Sequence, residues 1–182
     1  MGERHSHEDA SPGHWGEWER FVRASYATVW RLCAALVDEA SAEDLAQETF
    51  LRATRALPGF RSHASARTWI LAIARRVCMD ELRGRYRRGR RDRRLGDIAA
   101  VQPPLADSSG EVAAHDLLGQ LEPDRRAAFA LTQLFELSYE EAADVCGCPV
   151  GTIRSRVARA RDDLIGLIGN AEPARRPRQA AD

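Results

Sequence analysis

The amino-acid sequence predicts an all-α protein made of two small helical domains joined by a flexible linker. Apolar residues recur at three- and four-residue steps through residues 15–88 and again through residues 114–169, the spacing that gathers side chains onto one stripe of an α-helix. Between these stretches, residues 89–113 include RRDRRLGDIAAVQPPLADSSG, which has paired prolines, serines and glycines and no sustained period. The two ends read differently again. Residues 1–14, MGERHSHEDASPGH, are polar and without apolar period, which predicts a disordered tail, and residues 170–182 carry prolines and arginines that predict fraying.

The first helix is expected over about residues 15–37, where Trp18, Phe21, Val22, Tyr26, Val29, Trp30, Cys33 and Leu36 fall on one broad core-facing side. The second follows Ser41, with Asp44 three residues on as a helix-start signature, and it ends at Pro58-Gly59. Leu45, Thr49, Ala53 and Leu57 line its packed side. Glu43, Asp44, Gln47, Glu48 and Arg52 remain on the solvent side and, taken alone, are an ordinary solvated face. After the loop GFRSHASA a third helix is expected over about residues 67–88. It opens with Trp69, Ile70, Ile73, Val77 and Leu82 and accumulates Arg67, Arg75, Arg76, Arg83, Arg85, Arg87 and Arg88. A helix that starts apolar and ends this basic fits packing at one end and nucleic-acid backbone at the other.

Residues 114–121 and 123–135 predict two shorter helices, with Leu117, Leu118, Leu121, Phe129, Leu131 and Leu134 available for a second core. Residues 138–167 then read as a helix-turn-helix. Ser138 followed by Glu141 is a capping box, and Gly147 supplies a residue able to take positive φ in a tight turn before Pro149 and a new helix. In that last helix Val150, Ile153, Val157, Ala160, Leu164 and Leu167 form the packed stripe. Thr152, Arg154, Ser155, Arg156, Ala158 and Arg159 lie opposite, short or guanidinium side chains that can approach phosphates and base edges.

The formal net charge is +0, but it is unevenly placed. Residues 1–60 hold 6 Arg against 10 acidic residues, residues 61–94 hold 12 against 3, and residues 95–182 hold 9 against 14, so a basic block sits between two acidic ones. All 27 basic residues are arginine, for which genomic base composition is a sufficient cause. No apolar run approaches the length of a membrane span and the N-terminal stretch has no signal-peptide core, so the chain reads as cytoplasmic without membrane insertion. Cys33, Cys78, Cys146 and Cys148 read as small packed thiols. The one-residue Cys146/Cys148 spacing is not that of a zinc knuckle, and neither a metal nor another cofactor is expected.

Taken together, DLAQETFLRATRALPGFRSHASARTWILAIARRVCMDELR and LSYEEAADVCGCPVGTIRSRVARARDDL resemble regions two and four of the bacterial extracytoplasmic-function (ECF) sigma factors of the sigma-70 family, in order and at the family's usual separation. The resemblance implies a non-enzymatic subunit that binds the RNA polymerase core, at the β′ clamp and the β flap, and directs it to promoter DNA, with an anti-sigma factor as a further partner. By the match, Asp44, Gln47, Glu48 and Arg52 would meet the polymerase. The loop Arg61, Ser62, His63, Ala64, Ser65 and Ala66 would hold a flipped base of the −10 element, with Arg75, Arg76 and Arg83 on the backbone. Arg154, Ser155, Ala158 and Arg159 would face −35 bases, and Thr152, Arg156 and Arg161 would hold phosphates. The family's position at Ala158 often carries a larger side chain, so a methyl here shortens the reach.

Two other readings fit part of the chain. A polymerase-independent helix-turn-helix regulator accounts for residues 138–167 but leaves the first ninety unexplained. A recombinase or nuclease with a helix-turn-helix accessory would need an acidic metal-binding set near the basic helix, and the sequence has none.

Overall fold

The computed structural model describes residues 12–59, 65–94 and 110–171. Every regular element among them is helical. In order these are α1 (Pro12–Leu36), α2 (Glu39–Ala56) with a 3₁₀ turn (Leu57–Gly59), α3 (Ala66–Arg94), α4 (Gly110–Gly119), α5 (Pro123–Phe129) running into a π-turn (Ala130–Leu134), α6 (Tyr139–Cys146) and α7 (Val150–Ala171).

Helices α1, α2 and α3 bury Leu32 and Leu36, Phe50 and Ala53, and Ile70, Leu71 and Val77 against one another. The Tyr26 and Phe50 rings stack 5.9 Å apart across α1 and α2. The start of α2 differs from the expected box at Ser41. Asp38 is the N-cap and accepts from the Ser41 backbone N–H at 2.8 Å, so Ser41 lies inside the first turn, where its hydroxyl takes a hydrogen bond from Arg85 at 2.6 Å. A carboxylate is as good a cap as a hydroxyl and adds charge at the positive end of the helix, which favours the earlier start. Helix α3 runs six residues past Arg88, because Arg85 and Arg88 both reach back to Glu81, at 2.8 and 2.9 Å, and arginine is itself a good helix former.

In the second unit the π-turn closes α5, with the Phe135 N–H donating to the Ala130 carbonyl and that of Leu137 to Leu131. Glu136 then takes φ 55°, a left-handed backbone that turns the chain toward Ser138. The capping box forms as the sequence predicts. Ser138 accepts from the Glu141 N–H, and the Glu141 carboxylate accepts from the Ser138 N–H. Gly147 has φ 63° and open space around it, so its backbone conformation, not crowding, is what asks for glycine.

The two units share one core. Helix α6 packs on α3, α4 on α1, and the buried cluster continues from Val29 through Cys78 to Leu131, Val145, Ile153 and Val157. Polar links reinforce this contact. Arg67 donates to the Phe135 carbonyl at 2.8 Å, Arg31 lies over the Phe135 ring at 5.7 Å, and a His115 ring nitrogen meets the Ala34 carbonyl at 2.6 Å. Arg126, buried in α5, donates to the carbonyls of Leu36 (2.9 Å), Leu121 (3.2 Å) and Gly119. Residues 1–11 and 172–182, most of the expected linker, and Arg61, Ser62, His63 and Ala64 of the expected base pocket lie outside the described residues. No helix among the described residues is long and apolar enough to cross a membrane.

Candidate nucleic-acid interface

Helix α7 presents the geometry of a groove reader. Ile153, Val157 and Ala160 are fully or almost fully buried against α5 and α6. Arg154, Ser155, Ala158 and Arg159 project outward, with Thr152 half-buried beside them. The Ser155 hydroxyl donates to the Thr152 carbonyl at 2.9 Å. Among the described residues the guanidinium groups of Arg154 and Arg159 have no partner, which leaves their donors to a ligand. The other two arginines expected here are engaged. Arg161 donates to Gln133 at 2.9 Å, and Arg156, half-buried, meets Asp124 at 2.5 Å and the Cys148 sulfur at 3.6 Å.

The basic side of α3 forms the second surface. Ser65 caps its start, accepting from the Thr68 N–H at 3.0 Å, and Ala66 begins the helix. Arg76 is exposed, and Arg83 is exposed and paired with Asp80 at 2.5 Å. Arg75 differs. Its side chain is only 16% exposed, and it bonds Asp124 at 2.5 Å and the Cys146 carbonyl at 3.4 Å. A groove of about 730 Å³ runs between α3 and the start of α5, lined by Arg75, Arg76, Arg83, Arg87, Tyr86 and Asp124 among others. Sequence reasoning passed over Tyr86, a 73% exposed ring inside the arginine run. An aromatic interleaved with basic residues was signal enough to mark it as a stacking platform. It also passed over Asp124, whose partners lie 49 and 32 residues away, where no local pattern could reveal them.

On α2, Asp44 and Gln47 are exposed and Glu48 and Arg52 half-buried, and exposed Leu51 lies among them. Arg52 bridges Glu48 at 2.7 Å and Asp80 of α3 at 2.8 Å. The hydrogen bonds from Arg52 and Arg83 hold the Asp80 carboxyl below its usual range, and the bonds that Arg52 donates to Asp80 and Glu48 raise its own pKa. Tyr26 donates to Glu43 at 2.6 Å, and that bond, with burial, pushes the phenol up to about 12. The thiols belong to the packing. Burial pushes Cys146 up to about 11, and a hydrogen bond with Cys33 together with burial raises Cys78. No group of three or more His, Cys, Asp or Glu side chains among the described residues could hold a metal ion.

Comparison with known proteins identifies the two regions of the chain that carry these helices. The family model for sigma-70 region 2 matches residues 18–88, which carry α2 and most of α3, and that for sigma-70 region 4 matches residues 111–164, which carry the helix-turn-helix. The ECF RNA polymerase sigma factor SigC of Mycobacterium tuberculosis is 48% identical over 169 residues, covering 90% of this chain and 88% of the relative. The chain belongs to the ECF sigma factors. The RNA polymerase sigma-H factor of Pseudomonas aeruginosa is 36% identical to this sigma factor over 140 residues, 70% of this chain and 72% of that one. Among solved structures, the sigma factor RpoE of Bartonella quintana, in complex with the anti-sigma factor NepR, aligns with a TM-score of 0.65 at 28% identity, over 84% of this chain and 97% of that one. This sigma factor therefore directs RNA polymerase to promoters. Regions 2 and 4 are both present, and the fold that carries them is all-helical.

Proposed function

We propose that the two units divide promoter recognition. Residues 114–169 hold the −35 duplex, residues 15–88 bind the polymerase and capture the −10 strand, and residues 89–113 tether them. The observation that carries this reading is α7, which buries Ile153, Val157 and Ala160 and turns unpartnered Arg154 and Arg159 outward beside the small residues Ser155 and Ala158. A guanidinium offers a planar fork for guanine edges or phosphates, and the two small residues let the helix approach the bases closely. In the −10 half, Arg76, Arg83 and Arg87 offer backbone contacts, with Tyr86 as a surface on which an unpaired base can stack. The exposed Asp44, Gln47 and Leu51, beside Glu48 and Arg52, supply a mixed polar and apolar face for the clamp of the polymerase. Bond-making chemistry stays with the polymerase, the protein acts in the cytoplasm, and, like the Bartonella RpoE solved with NepR, it takes an anti-sigma partner.

Run-off transcription with core polymerase tests the reading. The expected result is promoter-specific transcripts that require both elements. DNA cleavage, or operator binding with no dependence on polymerase, refutes it.

A further inference from the structure

Two kinds of side chain run in parallel along the outer side of α3. Arg76, Arg83 and Arg87 fall within about 40° of one another around the helix axis at 3.6 residues per turn, and climb it by about 16 Å at 1.5 Å per residue. Beside them Met79, Leu82 and Tyr86, at steps of three and four, make a second row, in which Met79 is buried, Leu82 half-buried and Tyr86 73% exposed. Both rows line the groove of about 730 Å³, whose other wall includes Pro123 and Asp124. The lining carries four guanidinium groups, of Arg75, Arg76, Arg83 and Arg87, against two carboxylates, of Glu122 and Asp124. The carboxylates are already engaged, Asp124 with Arg75 and Arg156 and Glu122 with the Arg125 N–H at 3.1 Å. Arg76 and Arg87 have no partner among the described residues, and Arg83 commits one nitrogen to Asp80.

The groove thus offers one ligand an aromatic and apolar side and a cationic side. We propose that it binds a free nucleoside triphosphate, with the base on Tyr86 and the phosphates along Arg83, Arg87 and Arg76. Each half of that chemistry alone leaves the other unused. An inorganic anion would satisfy the arginines and leave the Tyr86 ring in water, whereas a nucleoside would stack and leave the guanidinium groups unpaired. A single phosphate reaches only the guanidinium nearest the ring, while a chain of three extends down the row toward Arg76. The size agrees, since sites for small molecules occupy about 300–1,000 Å³. RNA polymerase consumes nucleoside triphosphates, so the ligand is present wherever this protein works. The site goes beyond promoter recognition and needs no DNA.

Isothermal titration of ATP into the full chain, at low ionic strength and without divalent cations, tests this. One equivalent should bind, about 10-fold or more tighter than adenosine or tripolyphosphate, each of which supplies half of the contacts. Tyr86→Ala should weaken ATP about 5- to 100-fold and leave tripolyphosphate unchanged. Arg76→Ala should weaken ATP and tripolyphosphate together, about 10-fold. Arg55→Ala, which removes an exposed arginine of α2 outside the groove, should change neither. The three side chains are exposed, so the variants should keep the parent's helix content by circular dichroism. No saturable binding at millimolar ATP overturns the proposal. So does tripolyphosphate binding as tightly as ATP with Tyr86→Ala neutral, or an equal loss in Arg55→Ala, because either marks an unspecific anion patch. The titration contains neither promoter nor polymerase, so its failure is separate from failure of the promoter reading, which the run-off assay decides.

Discussion

Replacing Arg126 with methionine should cost this sigma factor about 2–4 kcal/mol of stability. The residue is 6% exposed and its side chain reaches three carbonyls, those of Leu36 at the end of α1, Leu121 before α5 and Gly119 at the end of α4, while Glu122 acts on it through space without an ion-pair contact among the described residues. Burial holds its pKa below the ordinary arginine range, so the charge itself is under strain here and its removal returns part of the loss. Methionine keeps an apolar stem of similar length but leaves the Leu36 and Leu121 carbonyls unpaired in the interior, at about 1–3 kcal/mol each. Near the melting temperature that corresponds to a fall of about 5–15 °C for a chain of this size. Circular dichroism melts, supported by urea titration, measure it. A change within about 0.5 kcal/mol would refute the idea that these carbonyls depend on Arg126.

Three further substitutions and one change of condition probe other parts of the molecule. Arg154→Ala and Arg159→Ala should each weaken −35 binding by about 1–3 kcal/mol and relax base preference there, read by run-off transcription on a panel of −35 variants; unchanged promoter choice in both counts against α7 as the reader. Ser138→Ala removes the acceptor of the capping box and should cost about 1 kcal/mol in a urea titration, whereas a neutral result would mean that water caps α6 equally well. Acid should destabilise the fold through Asp80, Glu81 and Asp38. Arg52 and Arg83 lower Asp80, and Arg85 lowers Glu81; at Asp38 burial opposes the shift, but bonds from Arg85 and Ser41 outweigh it. Carboxyls lowered in the folded state contribute stability that is whole above their unfolded values, 4.5 for Glu and 3.8 for Asp, and is lost as pH falls through the folded ones. Stability measured in urea should therefore decline from about pH 4.5 downward, and a flat profile to pH 3 would contradict these ion pairs.

The helices were legible because their signals are local. The Ser138 capping box, the Gly147 turn and the Ile153, Val157 and Ala160 stripe each need only neighbours within a few residues, and each forms as the sequence predicts. The start of α2 lies a few residues before the expected one because Asp38 and Ser41 are both competent caps, and the Asp38 carboxylate adds charge at the positive end of the helix. What the sequence concealed is how the two units meet. Arg67 and Arg75 read as members of a basic run, yet they find partners 68 and 49 residues away, and Arg126, which carries no local signal, reaches a carbonyl 90 residues away. A guanidinium facing solvent and one anchoring an interface look the same in a periodicity argument. Only packing tells Arg154 from Arg156, two residues apart on one helix.

The pairing of Arg75 and Arg156 on one carboxylate has a chemical corollary. A guanidinium sheds no proton under conditions a fold survives, and a chain whose basic residues are all arginine offers no ε-amine for acetylation to neutralise. The cationic sites are thus fixed once the chain is made, and only the anion upon them can change. In this respect the protein resembles an ion-exchange resin supplied already loaded with its own counter-ion. Any exchange of that counter-ion for phosphate would be favoured by the density of charge along a duplex and opposed by dissolved salt.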